Sequence, residues 1–217
     1  MADAERIGKL LLEHHQRYPG LAVRDLQLII DQIDGLLASK STVRVAIDGF
    51  CGSGKSVLAS FLQRVYHANV IKMDHFFLPR ALRTPERLAE PGGNVDYERF
   101  LHEVVPGLLT GSAIQYQVFN CQTMMLEDMI TFPQCRLIIV EGSYSMHPRF
   151  GNPYDLRLFL RIDPEEQIRR ILQRAGPVML ERFVQEWIPM ENRYFTAMNI
   201  MKKSDLDRKS TRLNSSH

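Results

Sequence analysis

The chain has 217 residues, of which 45% are hydrophobic and 24% charged, and a formal net charge of +2. This composition suits a soluble globular protein, one α/β domain with an appendage. It lacks the basic field of a nucleic-acid binder. The three cysteines, Cys51, Cys121 and Cys135, stand at no metal-ligand spacing and read as reduced thiols of a cytoplasmic protein. The opening "MADAERIGKLLLEHH" mixes charges into its apolar positions, unlike a signal peptide, and no stretch approaches a membrane-spanning length.

Residues 1–40 read as a helical appendage. Two helices are parted at "RYPGL", where Pro19 and Gly20 stop the first. In the second, Leu26, Ile29, Ile30, Ile33, Leu36 and Leu37 recur at helical spacing and form one apolar face. Docking on the main domain is the simpler use of that face, and a partner-binding face is the alternative. "TVRVAID" alternates apolar and polar residues with β-branched weight, so it predicts a strand ending at Asp48. Past a glycine-rich loop, Val57, Leu58, Phe61, Leu62 and Val65 fall on one face of a helix. "ANVIKMD", "RLIIVEG" and "LRLFLRID" predict three more strands with helical stretches between them. Strands alternating with helices imply a three-layer α/β/α sandwich around a parallel sheet, here spanning residues 41–206. "LPRALRTPERLAEPGGNVDY" has no clear period and reads as a substrate-covering loop or an ordinary surface connection.

The last eleven residues, "DRKSTRLNSSH", hold one apolar residue and are expected to make no core-facing strand or helix. They look like the translated reading frame of a sequencing adapter. On that reading residues 207–217 are a non-native tail, and a final strand and loop of the domain are cut away.

"GFCGSGKS" fits the phosphate-loop pattern G-x-x-x-x-G-K-S/T in its required strand–loop–helix setting. The backbone from Gly49 through Phe50, Cys51, Gly52, Ser53, Gly54, Lys55, Ser56 and Val57 is therefore the candidate nucleotide site. Its N–H groups converge on phosphate at the positive end of the following helix. Lys55 reaches the outer phosphates and the Ser56 hydroxyl offers one position to Mg²⁺. A low-pKa thiol is conceivable at Cys51, and a tolerant position of the motif is the simpler account. Glu141 closes the third predicted strand, where a carboxylate can hold the metal; a helix cap or a paired surface acid is the alternative. Asp74 in "IKMDHFF" is placed to accept a proton from an attacking hydroxyl, or else caps the next segment. Arg170 and Arg174, four apart in "EEQIRRILQRAG", share a helix face that is either solvated or a lid carrying guanidinium groups onto phosphate. His75 and His147 make no metal-binding pattern, and no G-x-S-x-G elbow occurs.

The segments "AIDGFCGSGKS", "MDHFFLP", "GNVDYERF", "IVEGSYS" and "RRILQRAG" together resemble the uridine kinase and phosphoribulokinase family of phosphate-loop kinases. The resemblance implies a P-loop NTPase fold and Mg²⁺-dependent phosphotransfer from ATP. It also implies Asp74 as general base, Asp96 of Asn94–Val95–Asp96 on the ribose hydroxyls, and Arg174 nearer the substrate than Arg170. Phe77, with His75, stands where the family has a tyrosine against the nucleoside, and Val95 replaces an aromatic residue. The 5′-hydroxyl of uridine or cytidine is then the expected acceptor, with a sugar phosphate or a pantothenate-like alcohol as alternatives. A switch that only senses nucleotide is a further alternative, although the chain has neither D-x-x-G nor N-K-x-D. No membrane or nucleic-acid partner is expected, and a homo-oligomer is compatible with the sequence.

Overall fold

The computed structural model describes residues 4–17 and 21–210. Helices α1 (Ala4–Arg17) and α2 (Val23–Ser39) precede strand β1 (Val43–Gly49), helix α3 (Lys55–Tyr66) and strand β2 (Asn69–Lys72). A single 3₁₀ turn, Met73–Phe76, follows β2. Short helices α4 (Pro85–Ala89), α5 (Tyr97–Glu103) and α6 (Val105–Thr110) lead to a hairpin of β3 (Ile114–Asn120) and β4 (Met125–Phe132). Strands β5 (Leu137–Glu141) and β6 (Leu156–Ile162) then precede the long helix α7 (Pro164–Arg182), α8 (Ile188–Ala197), α9 (Ile200–Lys203) and strand β7 (Leu206–Ser210). Pro19 and Gly20, read as the stop of the first helix, lie outside the described residues.

The main sheet is parallel throughout, in the order β2-β5-β1-β6-β7. Side chains alternate across it with period two. Leu137 and Ile139 of β5 join α1, α2 and α3 in one core, whereas Ile138 and Val140 join α5, α6 and the β3–β4 hairpin in another. These are the two helical layers of an α/β/α sandwich, as the alternation of elements predicts. Leu26, Ile29, Ile30 and Ile33 of α2 are at most 1% exposed. The apolar face of α2 is therefore part of the sheet's own core. Among the described residues no helix is long and apolar enough to cross a membrane.

Two expectations change. "IQYQVFN" and "MLEDMITF" form an antiparallel hairpin where helical stretches were expected. Their alternation is diluted because β4 is exposed along most of its length. The start of the terminal segment also forms a strand: β7 pairs with β6 from Leu158↔Leu206 to Ile162↔Ser210. A sheet edge accepts a new strand through backbone N–H and C=O groups, so apolar side chains are not required. Side-chain pairs flank it, Arg161 with Asp207 at 2.7 Å and Lys209 with Asp163 at 2.8 Å. Residues 211–217 lie outside the described residues.

Because α2 is core, Ile33→Ala should lower unfolding free energy by roughly 2–5 kcal/mol, the usual range for a buried aliphatic truncation. Urea denaturation followed by circular dichroism reads this directly. A loss below about 1 kcal/mol would mean that α2 only leans on the domain.

Candidate active site

The site is assembled by strand register. Ile47 of β1 lies opposite Glu141 of β5, and Glu141 lies opposite Lys72 of β2. Three adjacent parallel strands thus end at one level, with Asp48–Gly49, Glu141 and the Met73–Phe76 turn at their C-terminal ends. This is the edge where open α/β sheets bind ligands. The chain leaves β1 through Gly49, whose φ is +137° and where a Cβ would stand 2.2 Å from the Leu160 carbonyl oxygen. Only glycine fits that turn.

Beneath the loop lies Asp48, fully buried. Its carboxylate accepts the N–H groups of Gly49 (2.8 Å), Tyr144 (3.2 Å) and Met146 (3.0 Å), and the Tyr194 hydroxyl at 2.8 Å. These bonds tie the phosphate loop to the segment after β5 and to α8. Burial pushes the Asp48 carboxyl up to about 6, against the pull of the donors around it.

A cavity of about 1080 Å³ opens above the loop. Residues 51–57, Asp74, Phe77, Glu141, Arg170 and Arg174 all line it. Gly49 and Phe50 do not; Phe50 packs edge-on against Phe159 and Phe195. Asp96 does not line it either. Its carboxylate accepts the Arg99 N–H at 3.0 Å and caps α5, while Asn94, two residues earlier, faces the cavity. Lys55 Nζ donates to the carbonyls of Gly49 (2.7 Å) and Phe50 (2.9 Å) and to Ser143 Oγ (3.2 Å). Ser56 Oγ donates to Glu141 Oε2 at 3.0 Å. Burial, and then the charge of Asp74, raise the Glu141 carboxyl above its ordinary value, so a cation beside it is welcome.

The long arm from α7 to α8 forms the roof. It bends at Gly176 (φ 77°, ψ 173°), and Pro177 follows. Before the bend, Glu166 is held between Arg169 and Arg170, and Arg170 also donates to the Gly52 carbonyl at 3.1 Å. The Arg169 hydrogen bond, with help from Arg170, brings the Glu166 carboxyl down to about 2. Arg174 lies 5.7 Å from the centre of the Phe183 ring. Past the bend, a π-helical turn, Phe183–Trp187, sets Phe183 and Trp187 edge to face. Both rings line the cavity. The Cys51 thiol is no low-pKa group: burial, and then the Glu191 charge, push it up to about 12. His75 and His147 are outside the cavity lining. His75 contacts the Tyr116 hydroxyl and His147 is stacked on Tyr97 and Tyr194.

Motif reading gives no role to several residues at the site: Asn94, Ser143 and Tyr144, which lie inside motif segments, and Glu191, which lies in none. Glu191 carries a signal nonetheless. It shares the buried face of α8 with Tyr194 and Phe195, and an acid on an apolar helix face is rarely idle.

No protein-family model and no curated protein matches the chain. Solved structures are similar to it. One, described as a possible uridine kinase from Bacillus stearothermophilus, superposes with a TM-score of 0.60 at 18% identity, covering 83% of this chain and 98% of that one. Another is YFH7 of Saccharomyces cerevisiae, a candidate P-loop containing kinase with a circular permutation. It superposes with a TM-score of 0.61 at 14% identity, covering 87% and 99%. These likenesses show the fold, a parallel sheet between helical layers of the P-loop NTPase type.

The Asp48 carboxyl holds its proton to about pH 6 in the fold and to 3.8 ordinarily. Its contribution to stability is therefore complete below pH 3.8 and falls as pH rises to about 6, by up to about 1.4 kcal/mol per unit. Urea midpoints of the wild type and Asp48→Asn, taken from pH 4 to 7.5, should differ in this pH-dependent way and run parallel above pH 6. A difference independent of pH would contradict the raised titration.

Proposed function

We propose that the protein is an ATP- and Mg²⁺-dependent kinase that phosphorylates a hydroxyl of a small molecule, with the 5′-hydroxyl of uridine or cytidine as the leading acceptor. The observation that carries this reading is the sharing of one cavity by Lys55, Ser56, Glu141 and Asp74. A loop that only sensed nucleotide would have no use for a carboxylate on the acceptor side.

Phosphoryl transfer asks a protein mainly to position and neutralise. In this reading the N–H groups of the loop and Lys55 hold the donor's phosphates, and Arg170 and Arg174 approach from the roof. Asp74 accepts the proton of the acceptor hydroxyl as its oxygen attacks the terminal phosphorus. The bond to the bridging oxygen breaks and ADP leaves with that oxygen. Ser56 and Glu141 supply two oxygens, a donor set suited to a hard cation that takes its remaining ligands from phosphate and water. Among the described residues no group of three metal-binding side chains exists, which fits Mg²⁺ carried by the nucleotide. When bound, Mg²⁺ neutralises charge on the outer phosphates.

For the acceptor, Phe77 offers an aromatic face and Asn94, bonded to the Tyr144 hydroxyl, a polar amide, both on the cavity wall. The ribose role that the family pattern gives to Asp96 passes in this reading to Asn94. A second reading rests on Arg83 and Arg182, which also line the cavity. They favour an alcohol bearing a phosphate or carboxylate, such as a sugar phosphate or a pantothenate-like compound.

The test is acceptor-dependent ADP release from Mg·ATP across uridine, cytidine and a panel of anionic alcohols. Asp74→Asn should lower turnover at least about a hundredfold while Mg·ATP affinity stays close to wild type. Turnover retained within a few-fold would remove Asp74 from the base role, and turnover only with anionic alcohols would replace the nucleoside reading.

A further inference from the structure

Glu191 of α8 is a buried acid, 6% exposed, set against a loop built to bind anions. Its Oε2 accepts the Cys51 N–H at 2.9 Å, and its Oε1 accepts the Ser143 hydroxyl at 2.6 Å. Ser143 has one proton and two acceptors in reach, Glu191 at 2.6 Å and the Gly49 carbonyl at 3.1 Å. The shorter, charge-assisted bond takes the proton. The Ser143 oxygen is then left to accept Lys55 Nζ at 3.2 Å. Glu191, Ser143 and Lys55 form one chain from anion to cation.

The result is a saturated site. An ammonium has three donors, and Lys55 has three protein acceptors, the carbonyls of Gly49 and Phe50 and the hydroxyl of Ser143. The Cys51 N–H, which belongs to the loop that cradles phosphate, is already bonded to a carboxylate. A phosphate can gain Lys55 or Cys51 N–H only by exchange with these bonds. The contact to Ser143 is the longest of the three at Lys55, and its direction is set by Glu191.

We propose that Glu191 is a specificity-determining residue of the donor site, a carboxylate that competes with the donor's terminal phosphate for Cys51 N–H and, through Ser143, for Lys55. The proposal rests on the reading of the loop as a donor site and extends it. Glu191 stabilises the loop when no donor is bound, by satisfying a buried N–H and balancing a buried cation. It also opposes the binding of a triphosphate more than that of a diphosphate, because the terminal phosphate is the group that needs its partners. Glu191 sits on α8, joined through the π-helical turn to the arm that carries Arg170 and Arg174. Its displacement therefore pulls on the element that covers the donor.

Isothermal titration of Mg·ATP and Mg·ADP into the wild type and Glu191→Gln tests this without any acceptor. Gln keeps the volume, and its carbonyl can still take the Cys51 N–H, while its amide turns the Ser143 hydroxyl toward Gly49. With the charge gone, ATP should bind about tenfold more tightly, as expected for one charge-assisted bond, and ADP should change less than about threefold. Ser143→Ala, which removes the hydroxyl between Glu191 and Lys55 and leaves the Glu191 bond to the Cys51 N–H, should tighten ATP a few-fold and covers the case of a poorly folded Gln variant. Equal changes for both nucleotides, or weaker ATP binding in both variants, would overturn the proposal and leave Glu191 as a fixed support of the loop. Tighter ATP binding in a protein that phosphorylates no acceptor would sustain this proposal and overturn the kinase reading. Failure of every form to bind ATP would overturn both.

Discussion

Strand β1 is paired along both edges, to β5 and to β6, and it ends where a side chain has no room. The Leu160 carbonyl closes over Gly49, so the chain must leave the sheet sharply and at one place. That constraint fixes the start of the phosphate loop, and the loop's other end is fixed by entry into α3 at Lys55. Between these points the loop is short, and its N–H groups cannot all find partners within it. Asp48 resolves part of the difficulty from below by gathering two N–H groups of the segment after β5 and a tyrosine of α8 around one carboxylate. The Gly49 N–H bonds to the same group, so loop, post-β5 segment and α8 are held as one body.

The same economy governs charge. Three cationic side chains at the cavity are matched by acids nearby: Lys55 through Ser143 to Glu191, and Arg169 and Arg170 to Glu166. In a partly dry cavity unmatched cations would repel one another and raise the cost of folding. Matched cations fold readily and must then be exchanged onto the ligand. On the proposed reading, selectivity for a nucleotide depends on what its phosphates displace as well as on what they touch.

Much of this was legible in the sequence, and the reasons are specific. The strand–loop–helix of residues 43–66 announces itself because each part obeys its own rule: alternation, glycine at a crowded turn, then helical spacing. The hairpin at 114–132 was not legible, since β4 presents five consecutive exposed residues at its start, and without a buried face a strand keeps no period. Strand β7 was hidden for another reason. An edge strand is recruited by the open backbone of β6, which is a property of the partner rather than of the recruited segment.

The site divides along the same line. Residues whose position follows from their place on the chain, such as Lys55 and Ser56 in the loop or Glu141 at a strand end, could be placed at the cavity in advance. Residues whose role depends on direction could not. Asn94 and Asp96 stand two apart in a segment bridged to Phe77 at Val95, and a family pattern transfers the residue type without the direction of the side chain. The start of α5 decides the matter physically. The first turn of a helix leaves N–H groups without partners, and Asp96, standing at its N-cap, satisfies the one on Arg99. A carboxylate committed to that bond and 8% exposed has little left to offer a ligand. The amide two residues before the cap, on Asn94, lines the cavity instead, beside the Tyr144 hydroxyl.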